Sequence, residues 1–187
     1  MCYVWHNDKL LPLYKIYFFK PLQFFRGSVK ILDTRGNFAM NNRETLKTNE
    51  KGHLEIGGCD AVELVEKFGT PLYVMDEQYI RDMCRVYRTA IEKSYGGNGL
   101  ALYASKAFSC MAVYKIAEQE NIGVDVVSGG ELYTAVKAGF PADKIYMHGN
   151  NKLRSELEYA LGCGVGTIVV DAYSELDMLD LMAAEKG

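Results

Sequence analysis

From residue 53 onward the apolar positions switch between helical spacing and short unbroken runs, and each switch marks an element. Asp60 followed by Glu63 has the form of a capping box. Residues 61–68 then carry helical spacing, which Gly69 stops and Pro71 confirms. Residues 72–75 read as a short apolar strand. The stretch 77–93 predicts a long amphipathic helix with Ile80, Met83, Cys84, Tyr87 and Ile91 on one face, ended by Gly96-Gly97-Asn98-Gly99. Residues 100–104 form a strand of buried type, and Ser109 opens a helix to about residue 120. A strand over 123–127 follows. Ser128 with Glu131 makes a capping box for a helix that ends at Gly139, ahead of Pro141. Strands over 144–147 and 167–170, with helices over 153–161 (closed by Gly162) and 174–185, complete the pattern.

The later strands recur at a steady interval: Ala101, Val124, Ile145 and Ile168 are 23, 21 and 23 residues apart. Apolar strands alternating with capped helices predict parallel βα units with both sheet faces covered, so the fold class is α/β. Periodicity alone leaves a barrel and an open sheet equally admissible. No glycine-rich dinucleotide fingerprint follows the first strand, and no P-loop is present.

Length narrows the picture. The chain has 187 residues, short of the roughly 250 that an eight-unit (β/α) barrel takes. Its composition, 49% hydrophobic and 24% charged, is that of a folded domain with a core and excludes low-complexity classes. The formal charge of −3 is unevenly spread. Residues 1–40 hold six basic and two acidic groups, and the remainder is at −7, with no basic aromatic stripe. Such a body repels phosphate backbones, so no nucleic-acid partner is expected. The five cysteines stand singly, in neither a zinc nor a disulfide spacing, which reads as reduced thiols in a cytosolic protein and no metal site.

Residues 1–39 differ from the rest. Nine aromatics, the single Trp included, crowd residues 1–40, yet Lys15, Lys20, Pro21 and Arg26 interrupt the apolar run. It falls short of the ~18 apolar residues of a membrane span and lacks a signal-peptide cleavage pattern, so no membrane partner is expected. Residues 1–39 are read as a non-native upstream extension, with Met40 as the start of the native protein.

In βα folds the chemistry gathers at the C-terminal ends of the strands. Those positions hold Lys106, Asp125, the Ser128-Gly129-Gly130-Glu131 run, the His148-Gly149-Asn150-Asn151-Lys152 run, and Asp171. Lys106 is either a rim lysine reaching solvent or an amine with a lowered pKa, able to form a Schiff base. Asp125, inside an apolar strand, either pairs with Lys106 or a helix N-terminus, or positions the lysine or a cofactor hydroxyl. His148 and Asn150 fit loop capping, and Glu131 is accounted for by its capping box.

Tyr103-Ala104-Ser105-Lys106-Ala107-Phe108 resembles the Y-A-x-K-A motif of the alanine-racemase-like, fold-type III pyridoxal-phosphate enzymes. Three further segments carry the resemblance toward the diaminopimelate decarboxylases: residues 69–74 with Asp76-Glu77, residues 123–132, and residues 148–152. It runs from about Gly52 to the last residue, with Ser105 and Phe108 departing slightly from the commonest form. The resemblance implies a partial (β/α)8 TIM-type barrel, roughly its first half, with the C-terminal β-domain missing. It also implies a homodimer for the full-length family member and an amino-acid substrate, meso-2,6-diaminopimelate, converted to L-lysine and carbon dioxide. Lys106 would hold pyridoxal 5'-phosphate as a Schiff base and be the catalytic residue. Tyr103, Asp125, His148 and Asn150 complete the expected cofactor-binding set, although His148 is not equated with the family histidine that stacks on the cofactor ring.

The family's glycine triplet for the phosphate, its Glu-Pro-Gly-Arg segment and its downstream cysteine acid are absent from the sequence. Residues 40–187 are therefore expected to be the N-terminal portion of the cofactor-binding barrel, inactive as it stands. Two alternatives remain open: a related decarboxylase acting on ornithine, arginine or carboxynorspermidine, and a cofactor-carrying protein without turnover.

Overall fold

Four short apolar runs set the sheet, because each has helices to bury one of its faces. They are β6 (Leu102–Ala104), β7 (Gly123–Val126), β8 (Ile145–Met147) and β9 (Thr167–Val170). The computed structural model describes residues 3–6, 9–12 and 45–186. The four strands pair in parallel and lie side by side in chain order, with Ala104 opposite Asp125, Asp125 opposite Tyr146, and Tyr146 opposite Thr167. A helix follows each: α3 (Met111–Gln119), α4 (Gly129–Lys137), α5 (Arg154–Cys163) and α6 (Tyr173–Lys186). Chain order without reversal is the winding of a barrel wall, whereas a doubly wound sheet turns back at a switch point.

Alternation along the strands divides the wall. Val124, Val126, Ile145, Met147, Ile168 and Val170 are buried in one core with Tyr114, Leu132, Ala135, Leu157, Ala160 and Leu179 from the helices. Asp125 and Tyr146 occupy the opposite face and are only half-buried. Ahead of the wall come β3 (Leu46–Thr48), β4 (Leu54–Ile56) and β5 (Cys59–Asp60), a small antiparallel sheet, then α1 (Ala61–Phe68) and α2 (Glu77–Tyr95). Arg81 and Arg85 on α2 both bind the buried Glu120 carboxylate at the end of α3, which fastens α2 to the wall.

Of the segment read as foreign, β1 (Tyr3–His6) and β2 (Lys9–Pro12) form a hairpin, and β1 pairs antiparallel with β9. Met40 lies outside the described residues. No helix among the described residues is long and apolar enough to cross a membrane.

Four expectations are corrected in detail. Residues 72–75 make no strand: the run is irregular and exposed, Tyr73 at 96%, and pairs with no strand among the described residues. Ser109 does not cap α3, which starts two residues later, because the Ser109 hydroxyl instead meets that of Tyr114 at 2.9 Å. Helix α5 passes through Gly162 and ends at Gly164. Tyr87 is exposed despite its place on the apolar stripe of α2.

Asp60 does cap α1, and it carries a pH dependence. Burial favours its neutral form, but hydrogen bonds from His53, Asn49 and the Val62 and Glu63 amides outweigh this and hold the carboxyl well below the ordinary carboxylate range. A pKa lowered by folding gives stability that is full above the unfolded value, about 4, and lost as pH falls through the folded one. Thermal unfolding from pH 7 to 2 should therefore show a steeper fall below about pH 4 for the natural chain than for Asp60→Asn. Parallel curves would contradict it.

Candidate active site

Lys106 sits in a single 3-10 turn, Ser105–Ala107, directly after β6. The turn is held from three sides. The Tyr103 hydroxyl donates to the Phe108 carbonyl at 3.0 Å, closing the loop across the lysine. The wholly buried Ser105 places its hydroxyl 2.8 Å from the Asp125 carbonyl oxygen and 2.8 Å from Glu131 Oε2. The lysine is exposed and makes no hydrogen bond or ion pair with the described residues.

Asp125 projects from β7 on the open face of the wall. Its Oδ2 lies 3.7 Å from His148 Nδ1, while its Oδ1 is buried without a hydrogen-bond partner among the described residues. Burial pushes the Asp125 carboxyl above the ordinary carboxylate range; His148 pulls it down and Glu131 adds to the rise. Its neighbour is thus His148, and the pairing with Lys106 is not formed. Tyr103 packs on the helix-facing side, against the core, and burial raises its phenol. It therefore shapes the Lys106 loop from behind and does not share the face of Asp125. Asn150 is exposed on the loop after β8.

That loop is tied down by two further members of the 148–152 run, Gly149 and Lys152. Gly149 has φ 117°, and a Cβ there would stand 3.0 Å from the Val127 carbonyl oxygen, so only glycine lets the β7 and β8 loops meet so closely. Lys152 turns inward, donating to the Gly149 carbonyl at 2.6 Å and pairing with Glu175 at 2.7 Å; the two side chains are 1% and 9% exposed. Glu131 is corrected as well. It does not return to the Ser128 amide as a capping-box partner, and its carboxylate takes the Val127 N–H at 2.7 Å together with Ser105. Ser128 still caps α4 through the Glu131 amide. The signal that would have found these contacts is a glutamate at the third position of α4, α5 and α6 alike.

Residues 78–186 match the family described as pyridoxal-dependent decarboxylase, pyridoxal binding domain. The chain is 54% identical over 143 residues to diaminopimelate decarboxylase of Bacillus methanolicus and 52% identical over 143 residues to that of Bacillus subtilis (strain 168). Each match covers 76% of this chain, and 33% and 32% of the relatives. The chain thus spans about a third of the length of the curated relatives it matches. Among solved structures it is similar to diaminopimelate decarboxylase from M. jannaschii in complex with L-lysine: TM-score 0.65, 34% identity, 76% of this chain and 33% of that one. It is similar also to AQ1208 from Aquifex aeolicus: TM-score 0.71, 35% identity, 78% of this chain and 35% of that one.

The partial barrel wall and the cofactor expected from the motifs agree with this assignment. The residues present fit pyridoxal phosphate at its aldehyde: an exposed primary amine is on offer, and a carboxylate oxygen is buried at the same end of the wall, both without a partner among the described residues. This chain therefore belongs to the pyridoxal-dependent decarboxylases, matching their pyridoxal binding domain over residues 78–186.

Proposed function

We propose that Lys106 is the residue by which this chain holds pyridoxal phosphate, and that the activity it contributes to is the decarboxylation of meso-2,6-diaminopimelate to L-lysine and carbon dioxide. The observation that carries the proposal is the amine of Lys106, exposed on a turn braced by Tyr103 and Ser105 and paired with no side chain among the described residues. An amine bound in an ion pair would have to break that pair before reacting with an aldehyde; this one does not. When bound, pyridoxal phosphate supplies the electron sink for the pair left by the departing carboxylate. Asp125 holds one carboxylate oxygen 3.7 Å from the His148 Nδ1, setting a carboxylate beside that imidazole, and its other oxygen is a buried acceptor with no partner among the described residues. Asn150, exposed two residues after His148, adds an amide to the loop after β8.

The substrate assignment is supported by the names of the similar proteins and by L-lysine bound in one of them. A cytosolic setting is supported by four cysteines that are free among the described residues, and a homodimer by the family resemblance.

Borohydride reduction of the chain mixed with pyridoxal phosphate, followed by peptide mapping, tests the central claim. The label should fall chiefly on Lys106 and disappear from that peptide in Lys106→Ala. Label spread evenly over exposed lysines such as Lys93 and Lys137 would overturn it.

A further inference from the structure

The rim of the wall repeats one side-chain contact three times. Glu131, Glu156 and Glu175 are each the third residue of the helix after β7, β8 and β9. Each takes a main-chain N–H at the entrance to its own helix: Val127 to Glu131 Oε2 at 2.7 Å, Leu153 to Glu156 Oε2 at 2.9 Å, Asp171 to Glu175 Oε2 at 3.4 Å. Each also reaches back to the loop of the preceding βα unit. Glu131 meets the Ser105 hydroxyl at 2.8 Å, Glu156 accepts the Gly129 N–H at 2.6 Å, and Glu175 pairs with Lys152 at 2.7 Å. The N-terminal amides of a helix favour a carboxylate in its first turn, which explains the first contact of each pair. They do not require the second, which in all three cases runs the same way along the rim.

The first clamp ends on the turn that carries the reactive lysine. Ser105 has one hydroxyl proton and two acceptors at 2.8 Å, the Asp125 carbonyl and Glu131 Oε2. Shared between them, it ties the main chain beside Lys106 both to β7 and to α4. A charge-assisted hydrogen bond is stronger than a neutral one, so the carboxylate is the better anchor.

We propose that Glu131 is a positioning residue for Lys106, acting through Ser105, and that Glu156 and Glu175 extend the same clamp to the loops that present Gly129 and His148. The inference rests on the reading of Lys106 as the cofactor lysine, so its test separates the two. The natural chain, Glu131→Ala, Glu131→Gln and Arg85→Ala are treated with limiting pyridoxal phosphate, reduced with borohydride and mapped, with the exposed Lys93 as internal reference. Glu131→Ala should lower the ratio of Lys106 to Lys93 label about five-fold, the factor carried by one net hydrogen bond. Glu131→Gln can set its amide oxygen where Oε2 stands, which keeps a neutral acceptor for both the Val127 N–H and the Ser105 hydroxyl, and should restore most of the ratio. Arg85→Ala opens the remote α2–α3 ion pair and should lower thermal stability without moving the ratio.

Amide hydrogen exchange over residues 103–109, read without cofactor, should quicken in Glu131→Ala and stay unchanged in Arg85→Ala. A labelling ratio and exchange both unmoved in Glu131→Ala overturn the clamp. If the natural chain labels Lys106 no more than Lys93, the cofactor reading fails and exchange alone decides the clamp. Should Glu131→Ala not fold, Ser105→Ala carries the same comparison.

Discussion

Lys152→Met is expected to lower folding stability by about 3–5 kcal/mol, read as a shift of the denaturation midpoint at constant slope. The Lys152 side chain is 1% exposed and its ammonium has two partners, the Glu175 carboxylate and the Gly149 carbonyl. Methionine fills nearly the same space but leaves Glu175, itself 9% exposed, as a buried carboxylate facing a carbonyl oxygen and an apolar chain. A charge stranded in this way costs far more than the intact pair contributes, because desolvation is no longer offset by the opposite charge. The double variant Lys152→Met with Glu175→Leu should therefore recover most of the loss. A single-variant effect under about 1 kcal/mol would mean that the pair behaves as a solvated surface pair, contrary to its burial.

The same pair shows which features the sequence made legible. The wall was readable because each of its elements announces itself locally: a short apolar run, then a cap, then helical spacing. The cap at Asp60, the strand over Thr167–Val170 and the helix that starts at Glu77 were expected where they stand. Lys106 stands out in the sequence because an amine between an apolar strand and a helix has no routine place in a core, and the structure places it exposed on the turn after β6. What stayed hidden depends on contacts between units. Lys152 looks like any loop lysine until Glu175, 23 residues on, is seen beneath the same loop. Glu131 looked fully used by its helix because capping explains an acidic third residue; only the fold brings Ser105, 26 residues earlier, to its free side. Residues 72–75 failed for the reverse reason, since an apolar run predicts a strand only where a neighbouring edge accepts it. Residues 46–60, to which no element is assigned from the sequence, contain three short strands paired antiparallel.

A second large effect comes from one glycine, and a second glycine close by in sequence supplies its opposite. Gly166 stands immediately before β9, where its amide donates to the Ala142 carbonyl at 2.8 Å. A Cβ there would overlap the Asp143 carbonyl and come within 2.9 Å of the Asp143 Cα. These are backbone atoms and cannot swing aside, so Gly166→Ala must push β9 away from the turn that feeds β8, at a cost of about 3 kcal/mol or more. Gly162 lies inside α5, where an added Cβ meets nothing within 4 Å. Gly162→Ala is therefore expected to stabilise by about 0.5–1 kcal/mol, through helix propensity and a less flexible unfolded chain. Equilibrium denaturation of the two variants should give shifts of opposite sign. The displaced β9 leads directly into Asp171 and Glu175, so Gly166→Ala should also weaken the Lys152 clamp: combined with Lys152→Met, the two losses should fall short of additive. Full additivity would mean that the start of β9 and the rim of the site move independently.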